Sequence, residues 1–145
     1  MKVLITGING QVGHALMREL IEHELIGLTR KDCDLTNPDQ IKQVIDNHQP
    51  DLIINPAAYT KVDQAEDETE LAFQINRDAP KVMAEKAREY HIPFIHFSTD
   101  YVFDGEKKGA YKEDDPTNPL GVYGASKLAG EEVIQHVGGK FYIFR

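Results

Sequence analysis

The stretch KVLITGINGQVG at residues 2–13 decides the fold. After Lys2, its first residues are apolar or β-branched, which favours a β-strand. Glycines at positions 7, 10 and 13 end that run, and apolar residues then recur at helical spacing from Val12 to Ile21. The segment therefore predicts a strand, a tight glycine turn and a helix, in that order.

A glycine turn between a strand and a helix can bind a dinucleotide pyrophosphate. Glycine lets the backbone reverse tightly and approach the phosphates, and the helix N-terminus offers free N–H groups and partial positive charge. The spacing is GxxGxxG rather than GxGxxG, and since turns also use glycine for steric reasons alone, the prediction depends on where the motif lies. We expect the cofactor contacts to include Gly7, Asn9, Gly10, Gln11, Val12 and Gly13.

Short apolar runs alternate with amphipathic stretches along the rest of the chain. This alternation predicts parallel βαβ units, and therefore an α/β fold with a doubly wound parallel sheet and helices on both faces. Asn37 is expected to cap a helix with Pro38 in its first position, and Pro80 predicts a joint at residues 78–80. The other predicted strands are residues 25–29, 51–55, 93–98 and 140–144, and the other helices are 11–23, 68–90 and 123–136, with mostly loop at 104–119.

The composition excludes several classes of protein. The 145 residues carry a formal net charge of -8, which argues against nucleic-acid binding. No apolar run approaches the ~20 residues of a membrane helix, and the N-terminus lacks the features of a signal peptide. The single cysteine, Cys33, excludes an internal disulfide. We therefore expect a cytoplasmic protein without membrane contact.

No metal site is predicted from the histidines, which show neither HxH nor HExxH spacing. His96 falls inside a predicted apolar strand, where we expect a partly buried histidine whose ring nitrogens are both satisfied. The six histidines are His14, His23, His48, His91, His96 and His136.

The end of the second predicted strand bears on which nicotinamide cofactor binds. An acid there binds the ribose hydroxyls of NAD(H), whereas an arginine accepts the 2′-phosphate of NADP(H). The strand ends in Thr29-Arg30-Lys31 with no acid directly at its tip, which favours NADP(H) and leaves NAD(H) open. Asp34 is expected to reach the adenine amino group and Leu35 to cover the ring; alternatively, Asp34 or Thr36 only organises the turn before the next helix.

Tyr123 and Lys127 lie four residues apart on a predicted helix, so both project from one face. A phenol with a pKa near 10 is a poor acid or base at neutral pH. An adjacent ammonium stabilises the phenolate and lowers its pKa, so that Tyr123 could protonate a nascent alkoxide. Lys127 would also contact the nicotinamide ribose. The same pair, taken alone, also occurs on ordinary solvated helix faces.

Thr99 is a third candidate because it follows the predicted strand at residues 93–98. Open α/β sheets bind ligands at the carboxyl ends of their strands, and a hydroxyl there can hydrogen-bond a substrate carbonyl. By itself Thr99 fits a polar strand cap equally well. The glycine turn, the strand-end hydroxyl and the Tyr/Lys pair are jointly far more specific, and together they predict a dinucleotide-dependent reductase.

Four segments closely resemble the dTDP-4-dehydrorhamnose reductases, which belong to the extended short-chain dehydrogenase/reductases. They are Gly7–Gly13, Asn55–Asp63, Ser98–Gly105 and Tyr123–Lys127. The resemblance covers all 145 residues with the order and spacing of the motifs preserved. It implies a Rossmann-like fold and the reduction of the 4-keto group of dTDP-4-dehydro-L-rhamnose to dTDP-L-rhamnose by NADPH or NADH.

The resemblance also implies roles for individual residues. Some members use a glutamate two residues after the third glycine to bind Mg²⁺ at a dimer interface. Ala15 occupies that position here, so the resemblance carries no Mg²⁺ site, while a homodimer stays open. It implies a catalytic set of Thr99, Tyr123 and Lys127, a cofactor cleft lined by Ala57, Ala58 and Tyr59, and contacts of the dTDP-sugar with Thr60 and Tyr101.

We expect residues 1–145 to form one NAD(P)-binding domain, the N-terminal portion of such an enzyme. The chain stops at Arg145 directly after a strand-like run, whereas the family continues into a C-terminal substrate-binding region. Two other functions stay open. Another nucleotide-sugar epimerase or dehydratase would use the same Tyr/Lys pair, although dehydratases generally place two acids after the strand-end threonine. A non-catalytic dinucleotide-binding regulatory subunit would resemble the beta subunit of methionine adenosyltransferase.

Overall fold

The computed structural model describes residues 1–145, and its centre is a five-stranded sheet in which every pairing is parallel. The strand order is β2-β1-β3-β4-β5, so the chain leaves β1 in one direction and returns on its other side. That reversal creates a crevice at the carboxyl ends of β1 and β3, where such sheets bind ligands. The strands are β1 Lys2–Thr6, β2 Glu24–Leu28, β3 Leu52–Asn55, β4 Phe94–Phe97 and β5 Phe141–Phe144.

Helices cover both faces of the sheet, as the alternation of elements predicted. Leu4, Ile53 and Phe94 belong to a core that also includes apolar residues of α2, α4 and α5. On the other face, Val3 and Ile5 pack against α1. The predicted fold class, a doubly wound parallel α/β sheet, is confirmed. The helices are α1 Gln11–Glu19, α2 Pro38–His48, α3 Thr69–Phe73, α4 Ala79–Glu89 and α5 Val122–Val137.

The predicted helix at residues 11–23 is shorter in the structure and ends at Glu19. The chain must turn back at this point so that β2 can pair with β1. The turn is closed by the His23 amide, which donates to the carbonyl of Leu20 at 2.9 Å, and Glu24 then donates to the carbonyl of Met1 at 3.1 Å. Pairing with β1 therefore overrides the helical periodicity of the last predicted turn.

Three predicted local features are confirmed. The side chain of Asn37 accepts hydrogen bonds from the amides of Asp39 and Gln40, at 3.1 and 3.2 Å, and so caps α2. The predicted joint near Pro80 separates α4 from a π-helical turn at Gln74–Asp78. Proline has no N–H to donate to the carbonyl four residues earlier. Residues 104–119 contain no helix or strand, also as predicted.

Candidate functional site

The glycine turn after β1 depends on two close approaches of the backbone. Gly7 has φ +60, and a Cβ there would lie 2.9 Å from the Cα of Ala57, beyond the end of β3. A Cβ on Gly13 would lie 2.4 Å from the carbonyl oxygen of Gly7. Both distances are shorter than any real Cβ contact, so only glycine lets the turn fold under α1 and against β3.

The N-terminus of α1 is open towards the crevice between β1 and β3. Gly10 precedes this helix, no side chain caps it, and its first turn contains no acid. The first amides of a helix have no partner within the helix and carry partial positive charge. The side chains of Asn9, Gln11 and Val12 are exposed around these amides. The turn therefore fits a pyrophosphate, because it offers uncapped amide donors and partial positive charge.

The residues predicted to line the cofactor cleft lie beyond the end of β3, facing the glycine turn. Ala57 and Ala58 are half-buried, whereas Tyr59 is buried and Thr60 is exposed. The Tyr59 hydroxyl donates to Glu68 at 2.5 Å, and burial followed by that hydrogen bond raises the pKa of Tyr59 to about 12. The phenol of Tyr59 is thus engaged inside the protein.

The tip of β2 contains an acid that the sequence analysis did not place there. The carboxylate of Asp32 turns back and accepts hydrogen bonds from the amide and hydroxyl of Thr29, at 2.8 and 2.6 Å. These bonds lower the pKa of Asp32. Arg30 and Lys31 are exposed beside it. No turn motif in the sequence signalled this contact, because an Asx turn bonds the backbone two residues on, whereas Asp32 bonds the residue three positions before it.

Asp34 and Leu35, predicted to contact the adenine, also stabilise the fold through a turn and a core contact. One carboxylate oxygen of Asp34 accepts from the amide and hydroxyl of Thr36, at 2.9 and 2.8 Å, and these bonds lower the pKa of Asp34. The alternative in which Asp34 organises the turn before α2 is therefore present in the structure. Leu35 is half-buried and packs against the core under α2.

Lys127 is buried in α5 with only 2 % of its surface exposed. Its Nζ donates to the carbonyl oxygen of Phe97, the last residue of β4, at 2.5 Å. Burial lowers the pKa of Lys127 to about 8, against the opposing attraction of Glu131. A lysine in this environment can change its charge near neutral pH, which an exposed lysine does not do.

The structure brings Thr99, Tyr101 and Tyr123 to the same corner, whereas Thr60 lies with the segment after β3. Thr99 lies two residues after Phe97 and is half-buried, and its Oγ accepts from the amide of Tyr101 at 3.2 Å. The ring of Tyr101 is 52 % exposed and meets the ring of Tyr123 edge-on, with 5.4 Å between centroids. Tyr123 and Lys127 lie four residues apart on α5, about one helical turn from each other. The predicted set thus occupies the carboxyl end of β4 and the start of α5.

Two glycines in α5, missed as site residues, allow this corner to close. A Cβ on Gly124 would lie 2.2 Å from the carbonyl oxygen of Tyr101, and one on Gly130 would lie 2.2 Å from that of Asn76. Glycine inside a helix costs about 1 kcal/mol relative to alanine. These glycines are the features that let the backbone after β4 and the π-helical turn reach α5. An isolated glycine within a predicted helix was the available signal.

Asn76 is a second residue that sequence reasoning missed. It is fully buried in the π-helical turn and bonds both backbone groups of Tyr59, at 2.9 and 3.1 Å. Its amide also donates to the Ser126 hydroxyl at 3.0 Å. Asn76 therefore joins the segment after β3 to the face of α5 that carries Tyr123 and Lys127.

The expectation for His96 requires correction. His96 is fully buried rather than partly buried, and its Nε2 has no hydrogen-bond partner. Its Nδ1 pairs with the amide of Asn55 at 3.1 Å, and Asn55 in turn accepts from Thr6 at 2.5 Å. Burial, and then the charge of Lys127, hold the pKa of His96 well below its ordinary value. His96 is thus a neutral core residue that links three strands.

The glycine turn, the segment after β3 and the corner after β4 therefore lie at one edge of three neighbouring strands. The model of the RmlD substrate binding domain matches residues 1–145. The chain belongs to this family. The predicted resemblance to dTDP-4-dehydrorhamnose reductases is confirmed by the relatives that match the same residues.

Members of the RmlD family with known names match the whole of the chain. The dTDP-4-dehydrorhamnose reductase of Burkholderia thailandensis is 43% identical over 146 residues, which cover 100% of this chain and 49% of the relative. That of Aggregatibacter actinomycetemcomitans is 43% identical, covering 99% and 50%. The crystal structure of the Bacillus anthracis dTDP-4-dehydrorhamnose reductase in complex with NADP has a TM-score of 0.93 and 40% identity, covering 98% and 51%. The chain spans about half the length of these relatives.

No helix is both long enough and apolar enough to cross a membrane. No three side chains among histidine, cysteine, aspartate and glutamate come together as ligands for a metal ion.

Proposed function

We propose that residues 1–145 form the dinucleotide-binding part of an NADP(H)-dependent reductase that acts on the 4-keto group of dTDP-4-dehydro-L-rhamnose. The observation that carries the proposal is the buried Lys127, held on the carbonyl of Phe97 within the corner that also contains Thr99 and Tyr123. Relatives that share about 43% of the sequence bear the name of this reductase. A solved relative contains NADP.

The glycine turn and the uncapped N-terminus of α1 would hold the pyrophosphate, with Gly7 and Gly13 allowing the close packing that gives the turn its shape. When bound, the nicotinamide supplies the hydride. Thr99 would donate a hydrogen bond to the keto oxygen and orient it. Tyr123 would deliver the proton that the new alkoxide takes up, and the ammonium of Lys127 would stabilise the phenolate left behind.

Turnover of dTDP-4-dehydro-L-rhamnose tests this proposal directly. NADPH oxidation is followed by absorbance with the native chain and with Tyr123→Phe, which keeps the ring against Tyr101 and removes only the proton donor. We expect oxidation that the substitution abolishes. NADPH binding without oxidation would reject autonomous activity and leave a cofactor-binding part that does not turn over without a substrate-binding region.

We also propose that the chain prefers NADP(H) over NAD(H). Arg30 and Lys31 are exposed at the tip of β2, where the 2′-phosphate of NADP(H) would lie. The Asp32 carboxylate, which would repel that phosphate, has one oxygen engaged by Thr29. The affinity for NADPH and NADH is measured by fluorescence titration of the native chain and Arg30→Ala. We expect the substitution to weaken NADPH binding alone, and equal weakening of both would contradict the preference.

A further inference from the structure

Glu131 is a buried carboxylate that the proposed reaction does not use. It lies one helical turn after Lys127 on α5 and is 1% exposed. Arg145 meets it with two nitrogens, Nη2 at 2.7 Å from one oxygen and Nε at 3.0 Å from the other. The hydroxyl of Ser98 donates to the same carboxylate. Taking the Glu131 carboxylate out of water is costly unless it is paired, and Arg145, whose side chain is 23% exposed, pairs it from nearer the surface.

The two partners of this carboxylate, Ser98 and Arg145, belong to different segments that meet at the site. Ser98 lies between Phe97, whose carbonyl accepts from Lys127, and the predicted catalytic Thr99. Arg145 directly follows β5 and also donates to the carbonyl of Glu113 at 3.0 Å. The Glu131 carboxylate therefore holds the carboxyl end of β4 against α5, next to Lys127.

We propose that the Glu131–Arg145 pair is a positioning device that holds Lys127 and Thr99 in fixed relation and balances the charge around Lys127. The inference rests on the proposed reductase function, because it assigns these residues to the same site. Glu131 touches neither cofactor nor substrate in this scheme. It acts through Ser98 on the position of Thr99 and through its charge on Lys127.

The charges around Lys127 make the sign of this effect testable. On its own helix, Glu131 is the charged group that acts on it. His96 of β4 also faces Lys127 and is neutral. Arg145 does not act on Lys127 directly but pairs with Glu131. The other titratable groups on elements packed against α5 are each engaged elsewhere or lie on other parts of those elements. They are Glu66, which accepts from the first amide of α5, the mutually paired Arg77 and Asp78, Glu70, Asp100, Tyr101, Tyr142, Arg88, which donates to the carbonyl of Val137, Lys81, paired with Glu85, and the buried Lys86, paired with Asp46 and Glu89.

The experiment measures the protonation of Lys127 in the isolated chain by the ¹³Cε chemical shift of labelled lysine between pH 6 and pH 11. Glu131→Gln removes a negative charge next to Lys127, so we expect its midpoint to move down by about 0.5 pH or more. Arg145→Gln leaves the carboxylate unneutralised, so we expect the midpoint to move up. The matched control is Glu132→Gln, which removes the same charge from the adjacent exposed position of α5 and should leave the midpoint unchanged.

Opposite shifts in the two variants distinguish positioning from mere structural support, which would shift neither midpoint or both alike. The Thr99 methyl resonance should move in both variants and stay in place in Glu132→Gln. Should Glu131→Gln fail to fold, Arg145→Gln still decides the matter, because an unchanged or lowered midpoint overturns the proposal. The titration requires no cofactor or substrate. A failed reductase assay with these shifts intact would therefore overturn the proposed function alone.

Discussion

Replacing Lys127 by methionine is expected to stabilise the folded chain at neutral pH. The lysine is 2 % exposed, and its burial lowers its pKa from 10.5 to about 8. The folded state therefore binds the lysine proton less tightly than the unfolded state. Below pH 8 the penalty for burying the ammonium is fully present, and it disappears as the pH rises from about 8 to 10.5.

The size of the effect follows from the change in pKa. Since one pKa unit corresponds to about 1.36 kcal/mol, the shift from 10.5 to about 8 amounts to about 3 kcal/mol. Methionine has a similar length and no charge, so Lys127→Met removes this penalty. It also removes the hydrogen bond to the carbonyl of Phe97, a loss of about 1 kcal/mol. We expect a net gain in the free energy of unfolding of about 2 kcal/mol at pH 7.

The assay is urea unfolding of the native chain and Lys127→Met between pH 7 and pH 10.5. The difference between the two free energies should stay constant up to about pH 8 and then decrease towards pH 10.5, because only the native chain loses the penalty. Lys108→Met, at an exposed loop position, serves as the matched control and should give a small difference that does not depend on pH. A Lys127→Met chain that is no more stable at pH 7, or a difference constant with pH, would refute the reasoning.

Three other outcomes are expected. Gly124→Ala should lower the free energy of unfolding by about 2 kcal/mol, because the new Cβ would lie 2.2 Å from the Tyr101 carbonyl oxygen; equal stability in urea would contradict this packing. Asn76→Ala should lower the free energy of unfolding by about 2 to 3 kcal/mol, because the buried groups that Asn76 bonds lose their partner. Thermal unfolding measures this loss, and an unchanged midpoint temperature would contradict it. Glu68→Gln should lower the pKa of Tyr59 from about 12, because the carboxylate that accepts the phenol proton in a hydrogen bond is gone. Ultraviolet titration of tyrosinate measures this pKa, and an unchanged midpoint would contradict the prediction.

The sequence by itself determined the order of elements and the place of the main motifs. Strand and helix patterns are local, and so are the demands of the glycine turn and of the Asn37 cap, so they can be read from neighbouring residues. Because the carboxyl ends of parallel strands lie at one edge of the sheet, a motif after β1 and another after β4 had to lie at that same edge. Tyr123 and Lys127 shared a helical face for the same local reason.

Only the tertiary structure decided which polar residues are buried and what they bond. Glu131 and Arg145 look like ordinary surface charges in the sequence, because helical spacing says nothing about an arginine arriving from beyond β5. Asn76 bonds residues 17 and 50 positions away. The depression of the pKa of Lys127 also depends on packing around α5, since burial disfavours the charged form only where several elements together exclude water. Pairings between distant residues leave no periodic signal, and they are settled when the sheet brings its strand ends together.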